Sequence, residues 1–188
     1  NSNLNEVLGV KVDTTLGDVR EEIAQAEMAA KSPIPAGMSK ADYAEVRFED
    51  ALIEDDDFDL LVMGRTQGKG CYCYVNGLLQ AQLAKYQNNY PYFVVDNEAG
   101  MEHISRGVLP SMQTAILVSD CSRRGIQAVG RIARLIEECN MHPSTVGLIV
   151  NRAPKGELNP GVLEEIENQG LNLLGVVPQN DAVYEYDC

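Results

Sequence analysis

The sequence predicts an α/β domain built on a mainly parallel sheet, and three observations carry that expectation. Four short apolar runs, rich in β-branched residues and without polar alternation, punctuate the chain: "YFVVD" (92–96), "TAILVSD" (114–120), "TVGLIVN" (145–151) and "NLLGVVP" (172–178). Runs of this kind are what strands buried on both faces of a parallel sheet look like. Helical patterns lie between them, and strand–helix alternation implies right-handed βαβ crossovers with helices on both faces. The 188 residues, 45% hydrophobic and 23% charged, suffice for one domain across 1–188 with a sizeable core.

The remaining elements follow in order. Residues 17–30 and 40–52 read as helices, separated by a loop around "SPIPAG" (32–37). "FDLLVMG" (58–64) reads as a fifth strand and "VNGLLQAQLAKYQNN" (75–89) as a helix. A helix over 122–139 is opened by Ser122; its Ile126, Val129, Ile132, Ala133 and Ile136 recur at one-face spacing. A helix over 160–169 is opened by Asn159, with Pro160 at the first helical position. There is no internal repeat and no low-complexity tract.

The formal net charge of −13 excludes free DNA or RNA as a partner, since no basic face is available to neutralise phosphates. The acidity gathers in Glu49, Asp50, Glu54, Asp55, Asp56, Asp57 and Asp59, a run expected to be a solvated linker rather than a docking surface. No apolar run reaches the roughly 18 residues a bilayer demands, and no signal peptide opens the chain, so no membrane association is expected. The five cysteines, an odd and scattered set, make a poor disulfide framework and fit a reducing, cytoplasmic setting.

In parallel sheets, ligands collect beyond the carboxyl ends of the strands. The residues there are Asp96-Asn97-Glu98, Ser119-Asp120, Asn151-Arg152 and Pro178-Gln179-Asn180, four polar strand ends expected on one rim. "GRTQGKG" (64–70) is not a phosphate loop: three residues rather than four separate Gly64 from Gly68, and Gly70 rather than Ser or Thr follows Lys69. In "YFVVDNEAG" (92–100), Asp96 closes an apolar strand. That is where nucleotide hydrolases place a carboxylate for magnesium-bound water, and equally where an aspartate caps a following helix.

"GKGCYCYVNG" (68–77) sets Cys71 and Cys73 one residue apart. They could be two small core residues on one face of a strand, although flanking glycines oppose a buried strand. They could form a redox couple. They could also be half of a tetrahedral thiolate site, completed by the same pair of a second copy across a two-fold axis. Thiolates suit zinc, nickel or copper(I) without choosing among them. His103 and His142 read as structural, and Cys121, Cys139 and Cys188 as incidental thiols.

Taken together, "NSNLNEVLG" (1–9), "GCYCYVNGLL" (70–79), "VVDNEAGMEHISRG" (94–107), "LIVNRA" (148–153) and "GVVPQNDAV" (175–183) resemble the CooC type of nickel-insertion accessory ATPase. That type serves carbon monoxide dehydrogenase and acetyl-CoA synthase and belongs to the MinD and nitrogenase-iron-protein class of P-loop ATPases. The resemblance runs over essentially the whole chain. It implies a Rossmann-like P-loop NTPase sandwich and an Mg-ATP-dependent homodimer that binds nickel or zinc through two CxC pairs at its interface. It further implies that hydrolysis releases the metal toward the dehydrogenase or synthase client.

By position, Cys71 and Cys73 match the metal ligands and Asp96 the magnesium-side carboxylate, the catalytic position. Asn97, Glu98, Ala99 and Gly100 match the γ-phosphate switch. Asn151 matches the asparagine that reads the adenine edge, with Arg152 beside it and Pro178 and Gln179 in the loop next to the base. Asn1 to Asn3 match the start of a first switch. The family's β–P-loop–α–β unit and its closing helix have no counterpart in the 188 residues, so the chain reads as a fragment of such an ATPase, inactive as written. The alternatives are a non-catalytic dimeric metal-binding module, or a MinD-like positioning ATPase with a C-terminal amphipathic membrane helix.

Overall fold

A computed structural model describes residues 4–28, 34–64, 73–97, 99–100 and 111–186. The chain divides into two compact units, Asn1–Glu98 and Ala99–Cys188.

The first unit is helical. After a short turn, α1 (Leu4–Val7), the chain enters α2 (Leu16–Met28) and α3 (Lys40–Asp50). Both begin with reciprocal caps. The Thr15 hydroxyl accepts from the Asp18 amide at 3.2 Å while the Asp18 carboxylate accepts from the Thr15 amide at 2.9 Å. Ser39 and Asp42 form the same box. Leu16, Val19, Ile23 and Ala26 line the buried face of α2, and Ala44 and Phe48 that of α3.

Tyr43 donates to the Glu22 carboxylate, and Arg47 clasps Glu22 at 2.9 Å and Asp50 at 2.7 Å, tying α3 to α2. A short antiparallel hairpin, β1 (Ile53–Glu54) with β2 (Asp59–Leu60), follows, and then α4 (Cys73–Asn89), which packs on α2 and α3.

The second unit is a three-stranded parallel sheet, β3 (Thr114–Asp120), β4 (Thr145–Ala153) and β5 (Leu173–Pro178), in the order β3-β4-β5. Helices α5 (Arg123–Glu138) and α6 (Pro160–Asn168) supply the crossovers, and a short α7 (Ala182–Tyr186) follows β5. One face of the sheet, with Ala115, Leu117, Leu148 and Val150, packs against Ile126, Val129 and Ile136 of α5 and Val162 and Ile166 of α6. The other face leaves Ile116, Val118 and Leu174 more than half exposed. Gly130 of α5 has no room for a side chain, because a Cβ there would overlap the Gln169 amide.

Three sequence expectations need correction. Residues 92–96 are not a buried strand: Tyr92 is 86% and Val94 88% exposed, and the segment pairs with no other among the described residues. Strand composition describes a fit to a pleated surface, and without ladder partners it does not make a strand. The fifth strand contracts to Asp59–Leu60 and runs antiparallel to Ile53–Glu54. Here the Asp55 amide reaches the Phe58 carbonyl at 3.0 Å and the Asp55 carboxylate caps the next amide, closing a loop that turns the chain back. The acidic run is therefore no linker throughout; its Asp55–Asp57 segment is the exposed tip of that hairpin.

Candidate functional site

The carboxyl ends of β3, β4 and β5 form one rim in the second unit. Asp120 and Asn151 are register partners, as are Ala153 and Pro178. Thus three of the four polar strand ends expected from sequence are brought together. The fourth, Asp96-Asn97, lies exposed in the first unit, and Glu98 lies outside the described residues. Ala99 and Gly100 are exposed, Gly100 with φ 109°.

At the end of β3, the Ser119 side chain is buried and its hydroxyl donates to the Asp120 carbonyl at 2.9 Å. The Asp120 carboxylate accepts from the Ser122 hydroxyl at 2.6 Å and the Ser122 amide at 3.0 Å, which holds its pKa below the usual carboxylate value. Ser122 in turn caps α5, accepting from the Gly125 amide at 3.0 Å. The anion and the cap sit at the positive end of the α5 dipole.

At the end of β4, the sequence "NRAPKG" breaks the ladder. The register to β5 shifts between Val150 and Ala153, Arg152 takes φ 57°, and Lys155 takes φ 55° within a 3-10 turn. Left-handed backbone is uncommon for residues with long side chains, and two instances three positions apart mark a constrained corner. Local bonds hold it. The Asn151 side-chain oxygen accepts from the Arg152 amide at 2.8 Å, the Cys121 thiol donates to the Arg152 carbonyl at 3.7 Å, and the Gln179 amide donates to the Ala153 carbonyl at 2.9 Å.

With its oxygen so engaged, Asn151 keeps its amide NH2 for a ligand, and the exposed Gln179 side chain offers both a donor and an acceptor. Arg152 contributes an exposed cation at the same corner. Such a rim can read the edge of a polar heterocycle. The strained Arg152 and Lys155 backbone was not anticipated from sequence; the Pro154-x-Gly156 punctuation was its only signal.

The cysteine pair falls in the first unit. Cys71 lies outside the described residues, whereas Cys73 is the first residue of α4, a helix of 17 residues.

Comparisons with known proteins agree with this architecture. No protein-family profile matches the chain. It is 38% identical over 186 residues to an uncharacterized ATP-binding protein of Methanocaldococcus jannaschii, spanning 99% of this chain and 72% of that protein. The carbon monoxide dehydrogenase accessory protein CooC of Rhodospirillum rubrum is 25% identical over 142 residues, which are 74% of this chain and 52% of that protein. Among solved structures, the MinC:MinD cell division protein complex of Aquifex aeolicus gives a TM-score of 0.65 at 19% identity, with 98% of this chain and 67% of that chain covered. The cell division ATPase MinD of Pyrococcus furiosus gives 0.61 at 20% identity, with 97% and 68% covered. The chain belongs to the family of this ATP-binding protein of Methanocaldococcus jannaschii, and it shares the fold of the MinD cell division ATPases.

Proposed function

We propose that the protein is a metal-delivery ATPase, in which ATP-driven homodimerisation builds a nickel or zinc site from two copies of Cys71 and Cys73. The cargo would pass to a carbon monoxide dehydrogenase or acetyl-CoA synthase. The observation that carries the reading is the sequence pair Cys71-x-Cys73, joined to the chain's likeness to an accessory protein of carbon monoxide dehydrogenase. Two thiolates are half of a tetrahedral site, and an identical pair across a two-fold axis completes it.

The nucleotide roles follow the same reading. Asn151 and Gln179 would hold the base edge through their amides, with Pro178 against its face and Arg152 beside it. Asp96 would hold a water of the magnesium shell, and Asn97, Glu98, Ala99 and Gly100 would answer to the γ-phosphate. Magnesium, when bound with ATP, neutralises charge on the phosphates. The phosphate cradle itself is not encoded in these 188 residues, so hydrolysis is proposed for the protein that carries one.

The test is nickel or zinc titration of the reduced protein with mass followed by light scattering. The expected result is one metal per two chains and a monomer-to-dimer shift that chelation reverses. Replacing both Cys71→Ser and Cys73→Ser should abolish the shift. A double variant that still dimerises on adding metal would overturn the shared thiolate site.

A further inference from the structure

The three strand ends of the rim stand in the order β3-β4-β5. Asn151 at the end of β4 and Gln179 just past β5 carry the amides assigned to the base edge, and Asp120 at the end of β3 is left without a ligand role. Asp120 is the register partner of Asn151 and is exposed. Neighbouring strands lie about 4.8 Å apart, so the row from β3 to β5 spans about 10 Å, close to the length of a nucleoside. For a base seated over β4 and β5, the one further strand end beside it in this sheet is that of β3.

The Asp120 carboxylate is fixed at one oxygen and open at the other. Its Oδ1 accepts from the Ser122 hydroxyl at 2.6 Å and from the Ser122 amide at 3.0 Å, whereas no donor among the described residues reaches Oδ2. The first turn of α5 hems the group in, since a Cβ on Gly125 would overlap Oδ1. No cation neutralises it among the described residues: Arg123, three positions on, pairs instead with Glu165 at 3.2 Å. The Ser122 bonds lower the Asp120 pKa, so the group is anionic at neutral pH. An ionised carboxylate accepts hydrogen bonds and donates none, so it repels phosphate and suits hydroxyl groups. In dinucleotide-binding sheets a carboxylate at the same rim holds a ribose hydroxyl.

We propose that Asp120 accepts a hydrogen bond from the ribose of the nucleoside whose base rests on Asn151 and Gln179, and so makes the rim select ribose over deoxyribose. The assignment rests on the base reading of the proposed function and adds the sugar to it. Ser122 holds the carboxylate in place before a ligand arrives, so little ordering is left for binding to supply.

The test is a titration of the full chain with adenosine, 2′-deoxyadenosine and 3′-deoxyadenosine in EDTA, read by nuclear magnetic resonance at the side-chain amides of Asn151 and Gln179. Nucleosides probe the base and sugar contacts without a phosphate cradle. Adenosine should bind about tenfold more tightly than at least one deoxy analogue, the low end for a hydrogen bond to a charged group. In Asp120→Asn the amide oxygen can still accept from Ser122 but the charge is gone, and the three nucleosides should bind alike. Ser122→Ala weakens the cap of α5 and lowers the thermal midpoint, yet should keep the preference for ribose. A preference lost in Ser122→Ala along with the midpoint would mean that Asp120 serves the cap alone, and overturns the proposal. A preference that appears only on adding magnesium also overturns it, because the carboxylate would then hold a cation. Equal affinities in the unmodified protein, with shifts at Asn151 and Gln179, remove the ribose contact and leave the base reading standing. No shift at either amide with any of the nucleosides overturns both.

Discussion

The Asp120 carboxylate closes over the first turn of α5 so tightly that position 125 has no room for a side chain. A Cβ on Gly125 would overlap that carboxylate and the buried Ser119 hydroxyl. Gly125→Ala is therefore expected to destabilise the protein by about 1–3 kcal/mol, the usual cost of forcing atoms into a filled site. A urea midpoint measures this, and adding Asp120→Ala should recover part of the loss, because the two positions share one space. An unchanged midpoint in Gly125→Ala would mean the turn yields freely. None of this crowding was legible in the sequence, where Gly125 reads as an indifferent helix residue. The same holds for Arg152 and Lys155: positive φ at long side chains follows from the corner between β4 and β5, which no local pattern announces. Asn151, Pro178 and Gln179, by contrast, were legible as a group, because strand ends on a parallel sheet must share a rim.

Helix starts were the most legible elements, since each is written within four residues. Ser122 and Asn159 cap α5 and α6 as their sequences imply. Ser39 caps α3 by a reciprocal box with Asp42. Ser39→Ala should cost about 1 kcal/mol, seen as a lowered urea midpoint at constant slope. A midpoint equal to that of the unmodified protein would show that water caps α3 equally well. The strands at 114–120, 145–153 and 173–178 were legible because a helix separates each from the next and covers one face. Those at 92–96 and 58–64 were not, because their fate depends on partners: one finds none among the described residues, and the other turns back on Ile53–Glu54.

Across the molecule, several carboxylates are held in their charged form by the fold. Hydrogen bonds from Thr15 lower the pKa of Asp18, and those from Ser122 lower that of Asp120. Burial pushes Glu22 up, but the bonds from Tyr43 and Arg47 outweigh it and the net shift is downward. A depressed folded pKa contributes stability that is present above the unfolded value and lost as pH falls through the folded one. The thermal midpoint should therefore hold at neutral pH and fall below about pH 4, near the unperturbed carboxylate values. The double variant Glu22→Gln, Asp120→Asn should start lower and show a shallower acid decline; an identical acid limb would place the titration elsewhere. The order of the sheet also bears on how quickly the second unit forms. Thr114 pairs with Thr145 and Leu148 with Leu173, so both ladders close only after a whole helix has been looped out. Chain closure over such spans is the slow part of assembly. The capped helices α5 and α6, by comparison, can form on their own local signals. Refolding of this unit should be gated by β4, the strand on which both closures converge.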